Sequence, residues 1–386
     1  MMKRNFNTFL VLHFLSYLTQ AFSYCLLITF LASIGYSATD RSWMFAISAA
    51  GGILLQFYIG YLCDKNRTIK RYTLTTNVLY CLITVVIYLY TKKNFLVHLL
   101  LVTVLCSLMR VTVGLLDGWT LEIDEECKRR YGTIRAMGSI GWSVGSYFCS
   151  LLVEKFGYGS LGAAYTLSAA IMIALYSKVK DVEKEQDQPI TFADVKVLLK
   201  SKGYMLSVWI LFALFVMTMC QDYTVIDKLN DLGAIEKQIS MYWIVSAMVE
   251  LPLFFYGNTL SEKVGMIPLL VITTIAYGIK FLLFASVHSV GWMMAASALQ
   301  VCTFPLLTIV SKQLIDEESP EGMKVSGQQI ALSLYSGISA LIAPLMAGVL
   351  EDSIGIDFAL YLIAGISLIA LLLIYTYAHK GKKTGD

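Results

Sequence analysis

Twelve stretches of about 20 residues, each dominated by apolar side chains, follow one another along this 386-residue chain. They run at 6–34, 40–62, 72–91, 96–123, 133–153, 158–178, 204–227, 238–260, 265–286, 290–314, 325–350 and 357–378. A helix rises 1.5 Å per residue, so about 20 apolar residues cross the roughly 30 Å hydrocarbon core of a bilayer. A soluble domain has no core large enough to hide twelve such helices. Only 15% of the residues are charged, against about a quarter in soluble proteins. The expected fold class is therefore all-α integral membrane, with twelve transmembrane helices. The first segment follows Lys3 and Arg4 directly and is too long for the apolar region of a cleavable signal.

Cationic residues orient such a bundle, because cytoplasmic loops collect Lys and Arg. With the N-terminus inside and the sides alternating, 21 of the 30 Lys and Arg fall inside, six outside and three within segments. Both termini are expected to be cytoplasmic, in a multi-pass protein of the cell (cytoplasmic or inner) membrane. The only long polar stretch, at 180–203, divides the segments six and six. The expected domains are an N-terminal six-helix bundle at 1–180, a cytoplasmic central loop at 181–203, and a C-terminal six-helix bundle with a short tail at 204–386. Residues 191–200 of that loop read as an amphipathic surface helix. GNTLSEKVG at 257–265 weakly repeats GYLCDKN at 60–66. Two pseudo-symmetric halves are the architecture of many secondary transporters, which hold solute near the midplane between them.

Charge inside the segments points to function, since an Arg, Lys or Asp near the bilayer centre costs about 2.5–3.5 kcal/mol. Arg110 and Asp117 lie seven residues apart, on one helical face. Arg135, Ser139 and Trp142 make a stripe on the next segment. Glu250 is mid-segment, near Tyr242, Trp243 and Ser246, with Pro252 just after it. Lys280 is the lone charge of the ninth segment, and the tenth offers Gln300, Thr303 and Pro305. His13, Tyr17, Gln20 and Tyr24 form one polar-aromatic face on the first segment, which either lines a cavity or bonds neighbouring helices. Arg110, Arg135 and Lys280 balance Asp117, Glu250 and Asp222, so either mutual pairing satisfies these charges or a solute does. Scattered cysteines without CxxC or His pairing read as buried free thiols and not as metal ligands.

The run from Asp117 to Trp142 resembles, without gaps, the lactose permease group of the major facilitator superfamily, the oligosaccharide and nucleoside proton symporters. YGTIRAMGSIG at 131–141 is also similar to the phenylpropionate permease branch, and GYLCDKNRTIKR at 60–71 resembles the superfamily's signature loop. The resemblance implies a sugar site made of Asp117, Arg135 and Trp142, an essential carboxylate at Glu250, and a basic partner at Lys280. It also implies a conformational gating loop at Gly60, Asp64 and Lys65, with the glycine allowing close helix approach. Gln300 and Thr303 stand where the lactose permease has its coupling histidine and glutamate, and Ser336 where it has a lysine. Lactose itself and that protein's proton site are therefore not transferred.

These readings converge on a transporter with no cofactor and no metal, whose partners are a small solute, a coupling proton and the bilayer. No nucleic acid is implied, and the chain is expected to act as a monomer. A channel would need a repeated filter or a ring of identical residues. A membrane enzyme would show HExxH, GxSxG or paired metal ligands. Neither pattern occurs. Two carboxylates and an indole suit a sugar or nucleoside; Arg110, Arg135 and Lys280 suit a small organic, even aromatic, carboxylate. Substrate contacts are expected from Asp117, Arg135, Ser139, Trp142, Glu250, Gln300 and Arg110. Coupling is expected from Glu250, Lys280 and Asp117, with Glu250 carrying the proton and Lys280 discharging it. An uncoupled facilitator, in which Glu250 only binds hydroxyls, is the alternative.

Overall fold

The computed structural model describes residues 2–182, 196, 198–320 and 324–380. Among these residues there is no strand. The helices of the first part are α1 (Met2–Tyr24), α2 (Leu27–Ser33), α3 (Ala38–Asn66), α4 (Lys70–Leu89), α5 (Phe95–Ile123), α6 (Glu125–Arg129), α7 (Tyr131–Phe156) and α8 (Gly159–Lys178). After the central stretch come α9 (Lys202–Asp231), α10 (Glu236–Val264), α11 (Met266–Ser286) and α12 (Val290–Ser297). A 3₁₀ turn (Ala298–Cys302) leads into α13 (Phe304–Glu318). The chain ends with α14 (Lys324–Leu332), a π turn (Ser333–Gly337), α15 (Ile338–Ile354) and α16 (Ile356–Lys380). The surface helix expected at 191–200 falls largely outside the described residues.

Eleven described stretches are long and apolar enough to cross a membrane. The twelfth expected span coincides with α10, 29 residues long and interrupted by Glu250. The polarity is that of a membrane protein. Leu54, Phe57, Leu100, Leu368 and Leu372 are each 64–71% exposed, whereas Lys280 and His13 are wholly buried. In water such an apolar coat would be a severe aggregation liability; against lipid it is the proper outer surface.

Helix boundaries follow local chemistry. Ser37 and Asp40 open α3 as a reciprocal cap, each side chain accepting the other's backbone N–H at 3.1 and 3.3 Å. Asn94 and Ser201 accept first-turn N–H groups of α5 and α9. Breaks within spans are also explicable. Pro305 has no N–H to give the carbonyl four residues back, and the helix gives way at Ala298–Thr303. That break places Gln300 and Thr303 at a point where the backbone is not regular.

Two compact units emerge, Met1–Asp187 with Gly233–Leu251, and Gln188–Leu232 with Pro252–Asp386. In the first, α1 lies most extensively on α7, α3 on α5, and α4 on α8. This unit contains a buried apolar cluster that includes Phe9, Leu116, Trp119, Ile134 and Tyr176. The rings of Trp119 and Tyr176 are stacked there, 5.8 Å apart and 12° from parallel. In the second unit α9 is the central helix, contacting α13, α15 and α16. Lys228, one of the six cations that the alternation places outside, is 1% exposed and ion-paired with Asp357 at the start of α16.

Candidate functional site

The first unit gathers its charges where α1 and α7 come closest. Gly138, Gly141 and Gly145 leave one face of α7 without side chains. A Cβ on Gly141 would stand 2.1 Å from the carbonyl oxygen of Phe14, and one on Gly145 2.6 Å from that of Leu18. This approach delivers Tyr17 to Arg135, whose guanidinium carbon lies 4.3 Å from the ring centroid. Asp117, from α5, interacts with the Arg135 charge and with the hydroxyl of Tyr131. Glu250, from α10, also acts on Arg135. One cation thus lies within electrostatic reach of two carboxylates.

Three polar atoms of this cluster are buried without a hydrogen-bond partner: Asp117 Oδ1, the Tyr17 hydroxyl and His13 Nδ1. The His13 tautomer follows from its neighbour. Thr120 donates its hydroxyl to the Leu116 carbonyl at 2.7 Å, so it accepts from His13 Nε2–H at 2.9 Å. Nδ1 is then a bare acceptor. Two acceptors, a hydroxyl and a guanidinium are what a polyhydroxylated solute can bond. Unpartnered buried polar atoms each cost about 1–3 kcal/mol, which a ligand would recover.

Trp142 is not an open platform. It packs edge-to-face on Trp243 at 5.8 Å and lies 6.5 Å from Tyr24. Trp243 in turn donates its indole N–H to the carbonyl of Cys25, in the break between α1 and α2, at 3.2 Å. Ser139 uses its carbonyl to accept from Ser143. Arg110 shares α5 with Asp117 but lies against α3. Its Cδ and Nε are 3.4 and 3.5 Å from where a Cβ on Gly52 would be.

In the second unit Lys280 and Gln300 belong to one buried knot. Lys280, expected to face Glu250, donates to the amide oxygens of Gln221, at 2.7 Å, and Gln300. That Gln300 oxygen also accepts from Gln221 at 3.2 Å and Thr303 at 3.3 Å. Gln300, expected to bind solute, thus spends its oxygen on holding an ammonium.

The signature loop differs from expectation in two respects. Gly60 does not bring helices together: a Cβ there would meet nothing within 4 Å. It borders a small cavity of about 180 Å³ with Gln56, Gly114 and Glu122. The close α3–α5 approach lies about two and a half turns earlier, where a Cβ on Gly51 would be 3.0 Å from Thr103. Asp64 and Lys65 are not in a loop either, because α3 continues to Asn66 and the chain turns at Arg67, φ 49°. Lys65 leans over the Tyr61 ring at 5.8 Å.

Beside this turn is a device that the sequence reading missed. Asp181 accepts from Thr68 Oγ1 and from the backbone N–H of Ile69 and Lys70, at 2.5, 3.1 and 3.0 Å, and so caps α4. Lys70 reciprocates, donating to the carbonyls of Ser177 and Val179 at the end of α8. In sequence Asp181 is one more charge in a polar stretch, and nothing marks its partner 112 residues away.

An all-helical chain of two units with an apolar outer surface, each unit burying a charged cluster, is the build of a multi-pass membrane transporter. The chain belongs to the MFS_1 like family, which it matches over residues 8–362. Among its relatives is the maltose permease of Geobacillus stearothermophilus, 24% identical over 290 residues, covering 74% of this chain and 72% of that one. Another is the uncharacterized transporter YwbF of Bacillus subtilis (strain 168), 21% identical over 294 residues, with 75% and 72% covered. Solved structures agree on the fold. The nucleoside transporter NupG superposes with a TM-score of 0.80 at 14% identity, over 97% of this chain and 98% of the other. A POT family transporter in complex with 5-aminolevulinic acid gives 0.76 at 12% identity, over 98% and 96%. The major facilitator fold expected from the helix count and the motifs is thus the fold observed, and the chain is a transporter and not an enzyme.

Proposed function

We propose that this transporter moves an uncharged hydroxylated solute, a sugar or nucleoside, across the cell membrane by alternating access coupled to protons. The observation that carries the solute class is the trio of unpartnered buried atoms around Arg135. His13 Nδ1 and Asp117 Oδ1 accept, the Tyr17 hydroxyl does either, and Arg135 donates. A solute with several hydroxyls satisfies all four. A carboxylate would satisfy Arg135 alone and set its charge against Asp117 and Glu250. The relationship to a maltose permease points the same way.

The charge balance supports coupling. Arg135 acts on both Asp117 and Glu250, so the cluster is neutral when one carboxylate holds a proton. We take Glu250, on α10, as the carboxylate that gains and loses it. Lys280 is held by Gln221 and Gln300, and discharge of Glu250 by Lys280 is not part of this reading. The chain would work as a monomer with both termini cytoplasmic.

The test is uptake of labelled maltose, uridine and phenylacetate into proteoliposomes under an imposed inward pH gradient. Maltose or uridine should accumulate, protonophore should abolish accumulation, and Glu250→Gln should retain counterflow while losing uphill uptake. Accumulation by Glu250→Gln, or uptake that follows sodium, would defeat the coupling. Uptake of phenylacetate alone would defeat the solute class.

A further inference from the structure

The seam between α1 and α7 ends in a pair of thiols that take no part in the Arg135 cluster. Along it the contacts advance turn by turn on both helices. Phe14 faces Gly141, Leu18 and Ala21 face Gly145, and Cys149 comes one turn further on. There a single oxygen joins the two cysteines. The Ala21 carbonyl accepts the backbone N–H of Cys25 at 3.0 Å and the thiol of Cys149 at 3.3 Å. The Cys25 and Cys149 thiols also act on one another directly. Both are buried, and neither is bridged.

The surroundings make this more than two packed thiols. A disulfide needs Cα atoms within about 7 Å of each other. The seam supplies that approach, since a single methyl on Gly141 or Gly145 would strike a carbonyl oxygen of α1. The hydroxyls of Ser146 and Ser240 lie beside the Cys25 thiol; both are buried and otherwise unpartnered. Hydroxyl donors so placed can stabilise a thiolate, the reactive form of cysteine. Position matters too. Cys25 stands in the break between α1 and α2, and its carbonyl holds the Trp243 indole that packs on Trp142.

We infer that Cys25 and Cys149 are a reversible redox site, oxidised by hydrogen peroxide to a disulfide that bolts α1 to α7 at the α1–α2 break. Cys25, with the two hydroxyls beside it, is the sulfur that reacts first. Its thiolate attacks one peroxide oxygen, the O–O bond breaks and a sulfenic acid forms. The thiol proton leaves with the other oxygen as water. The Cys149 sulfur then attacks the sulfenic sulfur, the S–O bond breaks, and the Cys149 proton departs with the hydroxyl as a second water. The two sulfurs lose the electron pair that the peroxide gains. Burial selects the oxidant: peroxide is small and neutral and passes an apolar coat that excludes charged glutathione.

Peroxide treatment of the purified full-length protein, followed by denaturation, thiol labelling and peptide mass analysis, tests it. A reducible peptide pair joining Cys25 to Cys149 is expected, with two of the eight thiols lost to labelling and both restored by dithiothreitol. Oxidation should raise the melting temperature, because the bond closes a long loop of the unfolded chain, and Cys149→Ser should not show the rise. After peroxide, dimedone should mark Cys25 in Cys149→Ser and should leave Cys149 unmarked in Cys25→Ser. Uptake of labelled maltose or uridine should fall on oxidation and recover on reduction. Survival of all eight thiols in the parent, or a linkage that omits either cysteine, would overturn the site. Linkage that leaves both melting and uptake unchanged would overturn the bolt. A parent that moves neither solute would defeat the solute reading alone, and the linked peptide and the melting shift would still decide the disulfide.

Discussion

The guanidinium of Arg135 lies 4.3 Å above the ring of Tyr17, across the line where α1 and α7 nearly touch. A buried arginine is thereby held by a face that takes no hydrogen bond, and its donors stay available to Asp117, Glu250 and a solute. The Tyr17 hydroxyl has no partner of its own.

The ring and the hydroxyl of Tyr17 should therefore separate experimentally. Tyr17→Phe keeps the face under Arg135 and should fold normally, losing solute affinity by roughly three- to tenfold for one missing hydrogen bond. Tyr17→Leu removes the face as well and should lose binding altogether, as should Arg135→Ala. Trp142→Tyr should retain more binding than Trp142→Ala. Wild-type binding in all of these would reduce the cluster to packing, as titration of purified protein would show.

Gly141→Ala should be among the most damaging single-methyl changes available. The added carbon would lie 2.1 Å from the Phe14 carbonyl oxygen, backbone that cannot swing aside. Overpacking in a closed core typically costs about 1–3 kcal/mol, and separating two helices costs more. Loss of monodisperse protein, or a fall of several degrees in melting temperature, is expected. Gly60→Ala, with open space around it, should change little, and a melting comparison of the two variants decides the matter.

Asp181 supplies a pH prediction. Burial alone would push its carboxyl up, but the Thr68 hydroxyl and the N–H groups of Lys70, Val182 and Ile69 outweigh that and hold it below the ordinary carboxylate range. A depressed carboxyl contributes stability above its unfolded value and loses it as pH falls through the folded one. The contribution should thus be complete at neutral pH and fade through the acid range. Asp181→Asn should melt lower at pH 7, by on the order of 1 kcal/mol for a cap, less after solvent screening. The gap from wild type should close on acidification, as melting of both proteins across pH would reveal. A gap independent of pH would mean that the carboxylate charge is not what holds the turn.

Membrane orientation is testable by single cysteines in intact cells. Impermeant maleimide should reach positions 92–94 and 229–236 and should not reach 65–70 or 183–200. Labelling of the central stretch from outside would invert the assignment.

The transmembrane helices, their number and the membrane class could all be read from the chain, because bilayer thickness acts on every segment independently. A run of 20 apolar residues means the same thing whatever surrounds it. That Asp117 and Arg135 act on one another electrostatically is a relation between two residues of one contiguous stretch of sequence. What each polar group touches was not legible. No spacing announces that Gln221 and Gln300 hold Lys280, or that Arg110 lies beside Gly52. A helix face narrows a side chain to one sector of a circle, and only packing decides which neighbour fills that sector. The glycines show the same division. Gly60 and Gly141 both stand in motifs, but only Gly141 makes a close contact, and that contact with Phe14 exists only once α1 and α7 are laid together. Asp181 and Lys70, too, cap each other's helices across more than a hundred residues, a relation with no local signature. Local composition thus determined what spans the membrane, and tertiary contact alone determined which buried charges have partners and which polar atoms remain for a solute.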